Sequence, residues 1–503
     1  MIAIINEELN EYEQDIRELL MAFFPGHTFC YEPSDGAFLT LYVKDGYIYT
    51  DNGIKSNKLL LTESRRENKS IIKRHLYSIL HEMTGRSLPW GTLTGIRPVK
   101  IPEKLMEEGF SDEEIKAKMQ KEYYISDSKA DLVIDIAHRE KAVLSRADIR
   151  NGWSLYVGIP FCPTTCLYCS FTSYPITKWS DRIDEYLECL KKELTLLNKV
   201  NKAELLSEYG GYISGKELQT IYIGGGTPTA ISAEQLDRLL SIIEDTMDLS
   251  HVVEFTVESG RPDSITEAKL EVLKKHHIDR ISINPQTMNQ KTLDIIGRRH
   301  TVDDVREAYQ IARDAGLDNI NMDIIIGLPE ESREDVKITL DEIKKMKPDS
   351  LTVHALAVKR AARLNTEGKA WNNLERAGID EAIQMTDDSA AICEELGLKP
   401  YYLYRQKNMA GNQENVGYAV PGKENLYNIL MMEELHTVIG CGAGSSSKLV
   451  IENEDISRYD GNRFRVERFE NIKNIAEYLP RIDELMEKRK RFLTFSDKNQ
   501  GLA

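Results

Sequence analysis

From Trp153 onward the chain alternates between two kinds of apolar pattern. Short β-rich runs recur as SLYVGIP (154–160), TIYIGG (220–225), VVEFTVES (252–259), RISINP (280–285), NINMDIIIGLP (319–329) and SLTVHALAV (350–358). The stretches between them, 181–199, 232–247, 264–277, 289–315 and 331–346, carry apolar residues at helical spacing. Six strand–helix units in succession predict an α/β fold with a parallel sheet and helices packed outside it. Such a sheet closes as a barrel or stays an open, partial one. In either case chemistry belongs in the loops after the strand C-termini, which is where the polar and glycine-rich stretches fall.

The rhythm differs on both sides of this region. AFLTLYVKDGYIYTD (37–51) reads as a hairpin, two alternating strands around the Asp45-Gly46 turn. Helical patterns follow at about 64–84, 112–120 and 128–146, interrupted by the turn-rich LPWGTLTGIRPVKI (88–101). RADIRNG (146–152) is the expected boundary of this first module. Beyond about 398 the segment YYLYRQKNMAGNQENVGYAVPGKENLYN (401–428) is loop-rich and aromatic, and VIGCGAGSSSKLV (438–450) is a glycine-serine turn between apolar segments. A charged helix near 469–492 is expected as an exposed cover. The expected division is an N-terminal α+β module (1–150), the strand–helix region (151–398) and a C-terminal mixed extension covering the substrate (399–503).

Composition narrows the class. The 503 residues exceed one ordinary hydrophobic core, and hydrophobic and charged contents of 41% and 29% are those of a soluble globular protein. Glu7, Glu8, Glu11, Asp15 and Glu18 argue against a signal peptide, and no apolar run approaches the ~18 residues of a membrane span, so the cytoplasm is expected. The 65 basic and 81 acidic residues, a net charge of -16, argue against a surface that tracks nucleic acid but leave room for a local basic pocket. Seven cysteines, an odd number without an export signal, argue against a disulfide framework. Cys30, Cys189, Cys393 and Cys441 are scattered and read as small core residues.

The other three stand together in VGIPFCPTTCLYCSF (157–171), as Cys162, Cys166 and Cys169. Thiolates select zinc or iron–sulfur clusters. A zinc site would need a fourth ligand from a distant histidine or cysteine. Three thiolates around a four-iron cluster would instead leave one iron with an open coordination position. The sequence YVGIPFC followed by CLYCSF resembles the radical S-adenosylmethionine (SAM) enzymes and, more narrowly, the oxygen-independent coproporphyrinogen III oxidase family. The resemblance implies a partial (β/α)6 radical SAM barrel, a [4Fe–4S] cluster on the three cysteines, and SAM bound to the open iron. It also implies one-electron cleavage of SAM to a 5′-deoxyadenosyl radical, with a low-potential ferredoxin or flavodoxin as electron donor.

The resemblance continues strand by strand. IYIGGGTPT (221–229) is a tight glycine turn whose amides suit a ligand, and no Gly-Lys-Ser/Thr follows to make it a phosphate loop. In the family this turn meets the SAM amino group, which implies Gly225, Gly226 and Thr227. Glu258 in VESGRP, Gln286 in SINPQT, Arg298 in IGRRH and Asp323 in MDIIIGLP match the residues that contact SAM, its ribose or its carboxylate. Tyr156 and Tyr168 match aromatics beside SAM, and Ala357 matches a backbone contact to adenine.

WGTLTGIRP, RISINPQTMN and YRQKNMAGNQENVGY are similar to the HemZ-type branch of that family. This implies a tetrapyrrole substrate, coproporphyrinogen III, whose propionates are oxidatively decarboxylated to vinyl groups. Related branches bind and deliver haem, or use the radical to methylate and open it. Four substrate carboxylates call for cations, and the candidates are Arg299, Lys359, Arg360, Arg363, Arg405 and Lys407. Tyr401, Tyr402, Tyr404 and Tyr418 are candidate cavity walls, and His354 reads as a satisfied core histidine. Phe171 stands where the typical decarboxylase carries a fourth cysteine.

Overall fold

The computed structural model describes residues 2–494 apart from 6–8, 10, 25–26, 28, 32–36, 54, 96, 204–210, 358–377, 407–412 and 453–463. Two large sheets carry the fold. The first, in the order β2–β1–β3–β4–β5, is built from β1 (Ile2–Ile5), β2 (Phe29–Cys30), β3 (Leu39–Lys44), β4 (Tyr47–Asp51) and β5 (Ser56–Leu60). The expected hairpin is β3–β4, and its turn residues Asp45 and Gly46 both take positive φ (52° and 74°), as a two-residue turn between twisted strands requires. Leu39, Leu41 and Val43 alternate inward onto α1 (Glu13–Phe23) and α2 (Arg65–Thr84) to form a core of their own.

The residues that follow leave this core. Trp90, Val99 and the helices α3 (Lys100–Glu107), α4 (Asp112–Tyr123) and α5 (Asp127–Leu144) pack into the core of the second sheet. There β6 (Gly152–Ile159), β9 (Glu217–Gly225), β10 (Glu254–Glu258), β11 (Arg280–Ser282), β12 (Ile320–Ile326) and β13 (Ser350–Ala355) lie side by side and parallel. Between β6 and β9 the short strands β7 (Phe161–Cys162) and β8 (Tyr174–Pro175) pair with each other and close the cysteine loop. Helices α6 (Ile183–Asn201), α7 (Ala233–Thr246), α8 (Glu267–Lys275), α9 (Gln290–Ile295), α10 (Val302–Asp314) and α11 (Arg333–Met346) intervene as the apolar spacing predicts. Ser232, Thr301 and Ser332 start α7, α10 and α11 with reciprocal capping hydrogen bonds.

Two expectations change. The stretch 289–315 is not one helix: Gly297, at φ 77°, breaks it into α9 and α10 and leaves Arg298 in the break. The region 469–492 is not one exposed helix either. FRVERFE is the end strand β18 (Phe464–Glu470), whose half-exposed charges mimic a helix pattern, and after α12 (Ile379–Glu395), α13 (Leu426–Met432) and α14 (Ile475–Tyr478) the true final helix is α15 (Ile482–Leu493).

The C-terminal strands extend the sheet on both flanks. Antiparallel β15 (Asn415–Ala419) adds to β13 and β14 (Lys399–Tyr404) adds to β15. On the other flank β16 (Thr437–Cys441) runs parallel to β6, followed by antiparallel β17 (Ser446–Glu452) and β18. Among the described residues the order ends on β14 and β18, so the barrel is partial and does not close.

The final helix is anchored by a buried ion pair. Arg489 Nη2 stands 3.1 Å from Glu193 Oε1, with side chains 1% and 0% exposed. The Glu193 carboxylate also accepts from Tyr478 OH (3.1 Å), Asn471 Nδ2 (2.8 Å) and Gly442 N (2.5 Å). Removing one partner would strand the rest without water. We expect Glu193→Ala to destabilise the fold by about 3–5 kcal/mol, read as a lower denaturation midpoint.

Candidate active site

The open ends of the parallel strands converge on two adjoining cavities. The smaller, of about 240 Å³, is lined by Cys162, Cys166 and Cys169. The cysteine loop is held from two sides. Thr227 N donates to Phe161 O (2.7 Å) and Gly226 N to Ile159 O (2.8 Å), while Leu167 N donates to Ile296 O (3.1 Å) and Thr164 Oγ1 to Gly297 O (3.1 Å). A Cβ on Gly226 would stand 2.6 Å from Phe161 O and 3.0 Å from Cys162 Sγ, so only glycine lets this turn close over the first thiol. Thr227 Oγ1 donates to Cys162 Sγ (3.5 Å), and Arg261 Nη1 donates to Cys166 Sγ (3.7 Å).

Burial pushes the Cys162 thiol up to about 11 against the pull of Thr227, and burial likewise raises Cys169. Both are protonated at neutral pH in the ligand-free chain, and metal binding would displace their protons. Among the described residues no three His, Cys, Asp or Glu side chains converge closely enough to hold a single metal ion. The three thiols line one cavity, an arrangement suited to a cluster in which each thiolate would meet its own iron.

Every residue matched at the strand ends faces this smaller cavity except Tyr156. Tyr168, Gly225, Gly226, Thr227, Glu258, Gln286, Arg298, Asp323 and Ala357 all line it. Arg298 is buried, donates from Nη1 to Asn284 O (2.5 Å), and leaves Nε unpartnered. Gln286 sits at φ 66°, fixed by backbone bonds to Asp323 O and from Ile325 N (both 2.9 Å), with Oε1 buried and unpartnered. Asn284 Oδ1 is a third such atom. An unsatisfied buried cationic donor and two unsatisfied acceptors around three thiols fit a polar ligand with a carboxylate beside a cluster.

The larger cavity, of about 960 Å³, lies deeper in the lumen and shares Gly225, Glu258, Asp323 and His354 with the smaller one. Tyr156 lines it in a stack with Tyr222 and Tyr427, with centroids 6.2 and 4.6 Å apart. Tyr222 OH donates to Glu258 Oε1 (2.5 Å). Burial raises the Glu258 carboxyl to about 7, opposed by the Tyr222 bond and reinforced by Asp323. His354 Nε2 stands 3.8 Å from Asp323 Oδ2, so it is a cavity wall rather than the core histidine expected.

The substrate-cation candidates divide. Arg405 lines the larger cavity, whereas Arg299 is exposed and lies in neither, because it points opposite to its neighbour Arg298. Lys359, Arg360, Arg363 and Lys407 lie outside the described residues. Tyr402 and Tyr404 line the larger cavity, while Tyr401 and Tyr418 are core. Sequence reasoning missed Arg280 and Lys448 on the larger wall, Tyr222 and Arg261. Tyr222 and Arg280 stand on strands the sequence does predict, and their lumen-facing places follow from the register that sets Tyr222 beside Tyr156 and Arg280 beside Thr256. Arg261, three residues after Glu258, gives no comparable signal, and Lys448 comes from another edge of the sheet.

Comparisons with known proteins define the class of the chain. Residues 156–343 match the Radical SAM superfamily. The oxygen-independent coproporphyrinogen-III oxidase-like protein HemZ of Bacillus subtilis is 41% identical over 86% of this chain and 82% of its own length. The heme chaperone HemW of Lactococcus lactis is 31% identical over 59% of this chain and 69% of its own length. The solved structure of Escherichia coli coproporphyrinogen III oxidase, described as a radical SAM enzyme, aligns over 71% of this chain and 79% of that one at 19% identity and TM-score 0.47. The protein class is that of radical SAM proteins, which use a [4Fe–4S] cluster and SAM. Within it the chain belongs to the oxygen-independent coproporphyrinogen III oxidase family, in the HemZ-type branch. Among the described residues no helix is long and apolar enough to cross a membrane.

The Glu258 shift has a measurable consequence. Its folded value of about 7 lies above the unfolded carboxyl value near 4.3, so the folded chain holds the extra proton between them. This contribution to stability is complete below about pH 4.3 and is lost as pH rises to about 7, by about 4 kcal/mol. The melting temperature of the cluster-free wild type relative to Glu258→Gln is expected to fall between pH 5 and pH 8. A constant difference would remove the shift.

Proposed function

We propose that the chain oxidatively decarboxylates coproporphyrinogen III to protoporphyrinogen IX. Each of two rounds takes one hydrogen atom from a propionate β-carbon, passes one electron to a one-electron acceptor and releases one carbon dioxide, leaving a vinyl group. The observation that carries this reading is the larger cavity. At about 960 Å³ it suits a macrocycle, carries Arg280, Arg405 and Lys448 for carboxylates, and shares walls with the cysteine cavity. When bound and reduced by one electron, the cluster and SAM supply the 5′-deoxyadenosyl radical that takes the hydrogen.

The chain's own residues do the rest. Cys162, Cys166 and Cys169 hold the cluster. Arg298 offers a charge-assisted donor to the SAM carboxylate, Glu258 an acceptor to its amino group, and Gln286 and Asp323 acceptors to its ribose hydroxyls. Gly225, Gly226 and Thr227 would let the backbone approach SAM, Tyr168 and Ala357 would wall its adenosyl side, and Tyr156 lines the adjoining larger cavity. The electron comes from a low-potential ferredoxin or flavodoxin.

A second reading is haem binding and delivery. Phe171, 71% exposed at the rim of both cavities, favours it as an apolar surface for a porphyrin face, as does the similarity to heme chaperones. Anaerobic reconstitution with iron, sulfide, SAM, reductant and coproporphyrinogen III separates the two. Loss of two carboxyl groups by mass spectrometry supports the decarboxylase. 5′-Deoxyadenosine without that loss, alongside stoichiometric haem binding and transfer, would replace it with the second reading.

Arg298→Ala tests the SAM assignment. We expect SAM affinity to fall by about 10- to 100-fold, the size of a lost bond to a charged group, by calorimetry on the reconstituted protein. Wild-type affinity would exclude this role for Arg298.

A further inference from the structure

The segment 88–101 comes from the N-terminal module yet touches one cation of the larger cavity and, through Glu434, approaches a second. Arg405, just past β14, lines that cavity although only 3% of it is exposed. Its guanidinium stands 4.9 Å over the Trp90 ring, Nη1 donates to Leu93 O (2.6 Å) and Nε to Gln413 O (3.4 Å). Trp90 is itself immobilised. It is fully buried, and its Nε1 donates to Glu414 Oε2 (2.7 Å) while Lys129 Nζ holds Glu414 Oε1 (2.5 Å). The adjacent Gly91, at φ 52°, lies so close to α4 that a Cβ would overlap Tyr123 O at 2.0 Å. The platform under Arg405 cannot yield.

The other end of the segment acts at the opposite flank of the sheet. Arg97 Nη1 bonds Glu434 Oε2 (2.9 Å), and Glu434 Oε1 stands 3.7 Å from Lys448 Nζ on β17. Lys448 lines the same cavity. The segment therefore spans the open side of the barrel, from the β14 flank to the β17 flank, with a cavity cation beside each end.

We propose that Trp90 and Arg97 are positioning residues that hold Arg405 and Lys448 as anchors for the carboxylates of the tetrapyrrole. This rests on the tetrapyrrole reading above. Burying an arginine costs several kcal/mol, a poor exchange for a mere staple that a neutral side chain would serve better. A guanidinium fixed on an aromatic face instead holds its positive charge in one place for a carboxylate.

The test is equilibrium binding of full-length, cluster-loaded protein to coproporphyrin III and to its tetramethyl ester, in the same low-detergent buffer. Arg405→Gln and Trp90→Leu are expected to weaken the acid by about tenfold or more and to leave the ester within about twofold. Trp90→Phe, which keeps a ring under the guanidinium, should recover most of the acid affinity. Iron content and SAM affinity report folding, and Arg405→Lys replaces any variant that fails them. Equal losses for acid and ester, or none for either, would overturn the proposal while wild-type binding keeps the tetrapyrrole reading. A wild type that binds neither acid nor ester sinks both.

Discussion

The structure depends on how six parallel strands divide their side chains. A barrel of this kind is ordinarily filled by branched apolar residues. Here Leu155, Val157, Ile221, Ile223, Phe255, Val257, Met322, Ile324 and Val353 are spent on the outer face, in the core beneath the helices. The alternate positions Tyr222, Thr256, Glu258, Ser282, Asn321, Asp323, Thr352 and His354 face the lumen. A polar lumen cannot collapse without stranding its hydrogen-bonding groups, so it stays open as a cavity. The same period of two therefore makes the fold and the site.

Retaining carboxylates in that lumen has an electrostatic cost, and the strand ends show how it is met. Glu258 and Asp323 face the same space. One is raised to about 7 by burial despite accepting a bond from Tyr222, while the other is held low, against burial, by His354 and Asn321. Neighbouring carboxylates with separated affinities for a proton can serve different polar groups of one ligand. On the cysteine side, Arg261 and Arg298 lie beside Cys166, and His300 between them is driven down to about 4 by burial and by both arginines. These two positive charges would balance the thiolates of a bound cluster, to which a neutral histidine adds no further charge.

These features differ in how far the sequence discloses them. The strand–helix rhythm, the hairpin turn and the residues at the strand C-termini are local patterns, and the structure brings nine of the ten matched SAM residues to one cavity. What escaped depends on contacts distant in sequence. The break at Gly297 hides inside an amphipathic stretch and decides that Arg298 faces inward and Arg299 outward. FRVERFE reads equally well as a helix until its partner strand β17 is known. Lys448 belongs to the cavity only because β16 and β17 attach beside β6, nearly three hundred residues earlier in the chain.

That attachment bears on where specificity resides. The stretch that matches the superfamily ends at 343 and contains all three thiols and every matched SAM residue except Ala357. The larger cavity draws Tyr402, Arg405, Asn425, Tyr427, Met431 and Lys448 from beyond it. An open barrel leaves one side of its lumen without a wall, and both ends of this chain converge there. β14–β15 and β16–β18 extend the two flanks, and the buried Trp90 and half-buried Arg97 contacts bridge them. A wall made from segments outside the shared barrel can change its cations and aromatic rings without disturbing the strand ends that hold the cofactors. Related proteins can thus keep one radical-generating apparatus and differ in what they place before it.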